Sequence, residues 1–135
     1  MSEAQLHEQF MREAIRLSVE NVASGGGPFG AVIVRNDKII ATGTNAVTKI
    51  NDPTAHAEVS AIRDACRQIG DFSLAGCTIY SSCEPCPMCL GAIYWARLDR
   101  LYFANTKADA AAIDFDDQFI YAELDLALTE RQLPV

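Results

Sequence analysis

The sequence has no apolar run approaching the roughly 20 residues that a membrane-crossing helix needs, so no membrane association of that kind is expected. It has no run of basic residues either. Eleven Lys and Arg stand against 18 Asp and Glu, a formal net charge of −7. Affinity for nucleic acid rests largely on cations that neutralise phosphates, so this balance argues against a nucleic-acid partner. Linkers, low-complexity segments and internal repeats are absent. With 135 residues, the chain reads as one domain over residues 1–135. The opening stretch MSEAQLHEQFMREAIRLSVE is charged and amphipathic and lacks the apolar centre of a signal peptide. A soluble, cytoplasmic protein is the expectation. Cysteines number five, an odd count in a chain of this kind, which argues against a disulfide framework. No staple is needed, because half of the residues are hydrophobic.

What is present alternates between helical and strand patterns. Leu6, Phe10, Ala14 and Leu17 recur at helical spacing within residues 3–23, and the glycines at 25–27 with Pro28 end that helix. Two β-rich runs flank Arg35-Asn36-Asp37-Lys38, a turn by composition, and read as a hairpin. A second helix is expected over 56–69, a short buried strand over 77–82, and a third helix from Pro87 to Arg97. Proline is tolerated in that first turn because its missing N–H has no partner there. A strand at RLYFAN and a fourth helix over 117–127 complete the series. The order predicts an α/β fold, a mixed β-sheet with helices on its faces. The last residues, Leu133-Pro134-Val135, look like the start of one further strand.

The densest chemistry lies at SCEPCPMC, where Cys83, Cys86 and Cys89 stand three apart, and at Thr54-Ala55-His56-Ala57-Glu58. Together the segments give H-x-E followed by P-C-x-x-C. Zinc favours sulfur and imidazole donors in a tetrahedral array, and a catalytic zinc keeps three protein ligands and an open position for water. His56, Cys86 and Cys89 supply three, and Glu58 is left to move protons. Cys86 and Cys89 at the start of a helix can face one way, and the partial positive charge there favours thiolates. His56 and Glu58, two apart, would diverge in a regular helix, so His56 is expected in the first turn or just before it. The alternative is a closed structural zinc site with Cys83 as fourth ligand, which has no use for Glu58. Cys83 also fits a small buried residue ending a strand. Cys66 and Cys77 read as core residues, and Glu84 as a structural carboxylate near a helix start.

H-x-E with P-C-x-x-C is the signature of zinc nucleobase deaminases, and the chain resembles the cytidine deaminase-like superfamily. GGPFGAVIV, NDPTAHAEVSAIR, SSCEPCPMCLGAIYWAR and FDDQFIY together resemble its bacterial guanine deaminase branch, from about residue 10 to Pro134. The resemblance implies a three-layer α/β/α sandwich around a central mixed sheet, and one Zn2+ per chain on His56, Cys86 and Cys89. It implies hydrolytic deamination of guanine to xanthine and ammonia, zinc-bound hydroxide attacking C2 with Glu58 as the proton shuttle. Asp117 would be catalytic and bind the base, and Phe29, Asn45, Ala57 and Trp95 would line the purine site. Pattern alone does not choose among Asp114, Asp116 and Asp117; the family match singles out Asp117. In the family a further strand and a C-terminal tail follow, exchanged between the chains of a homodimer, and this sequence lacks their counterpart.

Rival readings share the same motif. A tRNA-specific adenosine deaminase has the same zinc chemistry on a flipped base, and the acidic balance and the FDD segment count against it. A non-catalytic module with a structural zinc is the alternative of a different class.

Overall fold

A computed structural model describes residues 1–113 and 117–135. The chain opens with α1 (Glu3–Ala23), whose N-terminus is closed by a capping box between Ser2 and Gln5. Arg12 and Arg16 pair with Glu8 and Glu13 on its solvent side, at 2.6 and 2.7 Å. The hairpin follows as β1 (Gly30–Arg35) and β2 (Lys38–Thr44). Its two turn residues, Asn36 and Asp37, have φ of 51° and 61°. Left-handed backbone at both central positions matches the twist of the strands, and Asn and Asp tolerate it.

Next come a short helix α2 (Val47–Ile50), then α3 (Ala57–Ile69), β3 (Thr78–Cys83), α4 (Pro87–Trp95) and β4 (Arg100–Asn105). Two small helices, α5 (Lys107–Ala111) and α6 (Gln118–Leu124), and a 3-10 turn at Leu128–Glu130 close the chain. The short α2, α5 and the 3-10 turn have no counterpart in the sequence reading, since three to five residues carry no helical period. Leu133-Pro134-Val135 form no strand. Asp114 and Asp116 lie outside the described residues.

The sheet order is β2-β1-β3-β4. β1 is antiparallel to both β2 and β3, and β3 is parallel to β4. Side chains alternate across it. Ala31, Ile33 and Ile79 face the layer of α3 and α4, where Ala57, Ala61, Ala65 and Ile93 meet them. Val32, Val34 and Tyr80 face α1 and pack on Phe10 and Ala14. The result is the expected three-layer α/β/α sandwich with a mixed central sheet.

Strand direction determines where the chemistry gathers. Because β1 runs against its two neighbours, β2, β3 and β4 all end at the edge of the sheet where β1 begins. Phe29 precedes β1, Asn45 and His56 follow β2, Cys86 follows β3, and Asp117 follows β4. Sites of α/β proteins form outside the carboxyl ends of strands for this reason.

Close packing of α3 on β2 fixes one side of that edge. A Cβ on Gly43 would fall 2.2 Å from the Ala57 carbonyl oxygen and 2.5 Å from the Ala61 nitrogen, both backbone atoms that cannot swing aside. Gly43→Ala therefore forces the first turn of α3 off the sheet. The expected cost is about 1–3 kcal/mol, the range for overpacking a core, read as a lower urea midpoint with unchanged slope.

Candidate active site

Two helices begin at the same point. His56 is the N-cap of α3, with extended backbone (φ −73°, ψ 159°), and Glu58 is the second residue of the helix. This resolves the spacing conflict, since His56 sits before the regular turn as its distance from Glu58 demands. Cys86 is the N-cap of α4 (φ −68°, ψ 169°), Pro87 follows it, and the Cys89 N–H points back at the Cys86 sulfur at 3.5 Å. Cys86 Sγ and His56 Nδ1 are 3.5 Å apart. The three donor atoms of His56, Cys86 and Cys89 lie within 4.8 Å of one another, and no other such group of donors occurs among the described residues.

Burial and charge act together here. Glu58 is 6% exposed, and burial raises its pKa above the ordinary carboxylate value. The Cys86 thiol is pulled down to about 4, by the Cys89 thiol as donor and then by His56, while Cys89 is pushed up by its bond to the Cys86 sulfur. His56 is raised by the same sulfur. Two adjacent thiolates repel unless a cation lies between them, and a soft S2N donor set is what zinc takes. These residues fit a zinc ion, and the helix starts add favourable partial charge for the sulfurs.

A cavity of about 390 Å³ opens onto the cluster, within the range of small-molecule sites. Phe29, Asn45, Ala57, Glu58 and Asp117 line it together with His56 and Cys86. Asn45 accepts the Val47 N–H through Oδ1 at 3.2 Å, so its NH2 is the end left to meet a ligand. Asp117 precedes α6, which is tied to the cysteine loop by Tyr121 Oη donating to the Pro85 carbonyl at 2.9 Å.

Trp95 stands apart from the other candidates. It ends α4, more than two turns from Cys86, is 79% exposed and does not line the cavity. Cys83 ends β3, with its thiol raised to about 11 by burial and its sulfur 3.8 Å from the Thr106 carbonyl oxygen, outside the donor cluster. Glu84 accepts the Lys107 N–H at 2.9 Å and so holds the start of α5. Met88, Ala110 and Ile120 also line the cavity. Nothing in their residue types could have announced it.

The profile described as the cytidine and deoxycytidylate deaminase zinc-binding region matches residues 4–105. The chain belongs to this zinc deaminase family. Within the family it is similar to guanine deaminase of Bacillus subtilis (strain 168), with 57% identity over 129 residues, covering 95% of this chain and 83% of the relative. The crystal structure of Bacillus subtilis guanine deaminase superposes with a TM-score of 0.94 at 54% identity, over 100% of this chain and 84% of that one. A tRNA-specific adenosine deaminase from Aquifex aeolicus (strain VF5) is 39% identical, over 72% of this chain and 64% of the relative. Similarity is thus higher and longer toward the guanine deaminase than toward this tRNA enzyme of the same zinc deaminase family.

An open three-donor site and a closed four-donor site differ in one substitution. Cys83→Ala is expected to keep full zinc content, whereas Cys86→Ser and Cys89→Ser lose most of it, measured by elemental analysis after dialysis against a mild chelator.

Proposed function

We propose that the chain is a zinc-dependent hydrolase that converts guanine to xanthine and ammonia, with one zinc per chain on His56, Cys86 and Cys89. The reading rests on the 57% identity to a guanine deaminase across 95% of the chain. It is supported by a cavity that joins the donor cluster to Glu58, Asn45 and Asp117. Zinc bound there supplies a water nucleophile at neutral pH. The reaction forms a C2–O bond and breaks the bond from C2 to the 2-amino nitrogen. Glu58 takes one proton from the incoming water and delivers it to the ring nitrogen, then takes the second from the C2 hydroxyl as it becomes the carbonyl and delivers it to the departing amine, which leaves as ammonia. Its burial favours this, because burial raises the affinity of the carboxyl for the proton it must carry from one step to the next.

Recognition falls to the other residues of the cavity. Asp117 accepts from guanine N1–H and the 2-amino group, and the Asn45 NH2 donates to an acceptor on the purine edge. The Phe29 ring lies against the base. Ala57, the first residue of α3, offers a backbone N–H that has no partner within its helix. A cytoplasmic location and a homodimer belong to the same reading; the exposure of Tyr94 and Trp95 on α4, 71% and 79%, supports the homodimer.

Ammonia release from guanine by the zinc-loaded protein, with adenine, cytosine and a tRNA anticodon stem-loop in parallel, tests the proposal. Turnover of guanine alone is expected; turnover of the stem-loop and not of guanine would reverse the assignment toward the tRNA enzymes. Glu58→Gln is expected to keep its zinc and lose about 10²–10⁴-fold in kcat, the span of general acid–base catalysis. Asp117→Asn should raise KM for guanine with zinc content unchanged; unaltered guanine kinetics would remove Asp117 from the site.

A further inference from the structure

One wall of the cavity is held from behind by a buried side chain that takes no part in the chemistry above. Asn21 lies in the last turn of α1 and is 3% exposed. Its Nδ2 donates to the Gly27 carbonyl and to the Asn45 carbonyl, each at 2.8 Å. Gly27 leads through Pro28 to Phe29, and Asn45 N–H donates in turn to the Phe29 carbonyl at 3.3 Å. One amide thus joins the segment that carries Phe29 to the segment that carries Asn45. The other end of the amide is fixed as well. Lys49 Nζ donates to Asn21 Oδ1 at 2.7 Å and to Ser24 Oγ at 2.9 Å. With its oxygen committed to an ammonium, the side chain can present only its NH2 to the two carbonyls. Close packing adds a third constraint, since a Cβ on Gly26 would lie 2.3 Å from Asn21 Nδ2.

We propose that Asn21, oriented by Lys49, is a positioning residue that sets the distance and tilt between Phe29 and Asn45 and so the fit of the purine ring. This rests on the guanine reading for the ligand, but not for the mechanical link. An amide that bridges two carbonyls is not replaceable by a carboxylate. Asn21→Asp keeps shape and keeps an acceptor for Lys49, yet turns an oxygen toward two carbonyl oxygens. The residues that hold zinc and move protons stand at the starts of α3 and α4 and make none of the hydrogen bonds of this bridge. The change therefore falls on substrate binding before it falls on the chemical step.

The experiment compares wild type, Asn21→Asp and Lys49→Met for guanine kinetics, zinc content and backbone amide exchange. Asn21→Asp is expected to raise KM by about tenfold, the weight of one buried hydrogen bond left unmade, with kcat and zinc content little changed. Lys49→Met, at an exposed residue, should move KM in the same direction by less. Exchange at the Phe29 and Asn45 amides should quicken in both variants, a readout that needs no turnover. If wild type does not act on guanine, the functional reading falls, and exchange alone decides the bridge. An Asn21→Asp protein with wild-type KM and exchange would overturn the inference. Should that variant fail to fold, Lys49→Met with neither property changed would overturn it instead.

Discussion

The contact between His56 Nδ1 and Cys86 Sγ, 3.5 Å across, joins the starts of two helices that lie 30 positions apart in sequence. Both residues are N-caps with extended backbone. Neither position is set by local preference. A histidine and a cysteine are poor caps beside Ser, Thr, Asp or Asn, and His56 makes no capping hydrogen bond. The local cost is accepted because an N-cap side chain leaves the helix axis and can aim at a point shared with another helix. Capping strength is exchanged for convergence, and the sheet must then bring the two ends together.

That demand explains features of the scaffold that would otherwise be unrelated. α3 carries alanines at 57, 61 and 65 on the side facing the sheet, and all are fully buried. Small side chains there, with Gly43 opposite, let the helix backbone come down onto β2. A larger residue at any of them would lift His56 and Glu58 together. On the other face α1 has the same relation to β1, where a Cβ on Gly30 would fall 2.4 Å from the Ala14 carbonyl oxygen. The two close approaches hold the hairpin between helices, and the hairpin in turn positions Phe29 at one end and Asn45 at the other.

Much of this was legible in the sequence, for reasons that differ by element. Long elements announced themselves by period: the ranges read for α1, α3 and β4 agree with the structure to within a residue. The donor set was legible because cysteine and histidine at fixed spacing have few other uses in a chain without disulfides. The place of Trp95 was not legible, because a helix carries a residue about 1.5 Å further along for each position, and motif adjacency does not show how far α4 travels from the cavity. Asn21 gave no signal. A polar residue in the last turn of an amphipathic helix reads as solvated, and only the fold reveals that the glycines after it turn the chain back over its side chain.

Glu58 illustrates how the scaffold makes an ordinary residue useful. A carboxyl at the second position of a helix normally gains from the positive end of the dipole and stays ionised. Here the same position is buried, and burial outweighs the favourable contacts with Cys89 and His56. The pull of the helix start and the penalty of burial oppose each other at one group. Their balance leaves a carboxyl whose proton affinity is raised, yet which remains beside groups that favour its charge. A bound cation would tilt that balance toward the carboxylate by adding positive charge nearby. Metal loading and the proton-accepting state of Glu58 are therefore coupled through geometry, and both depend on the same meeting of two helix ends.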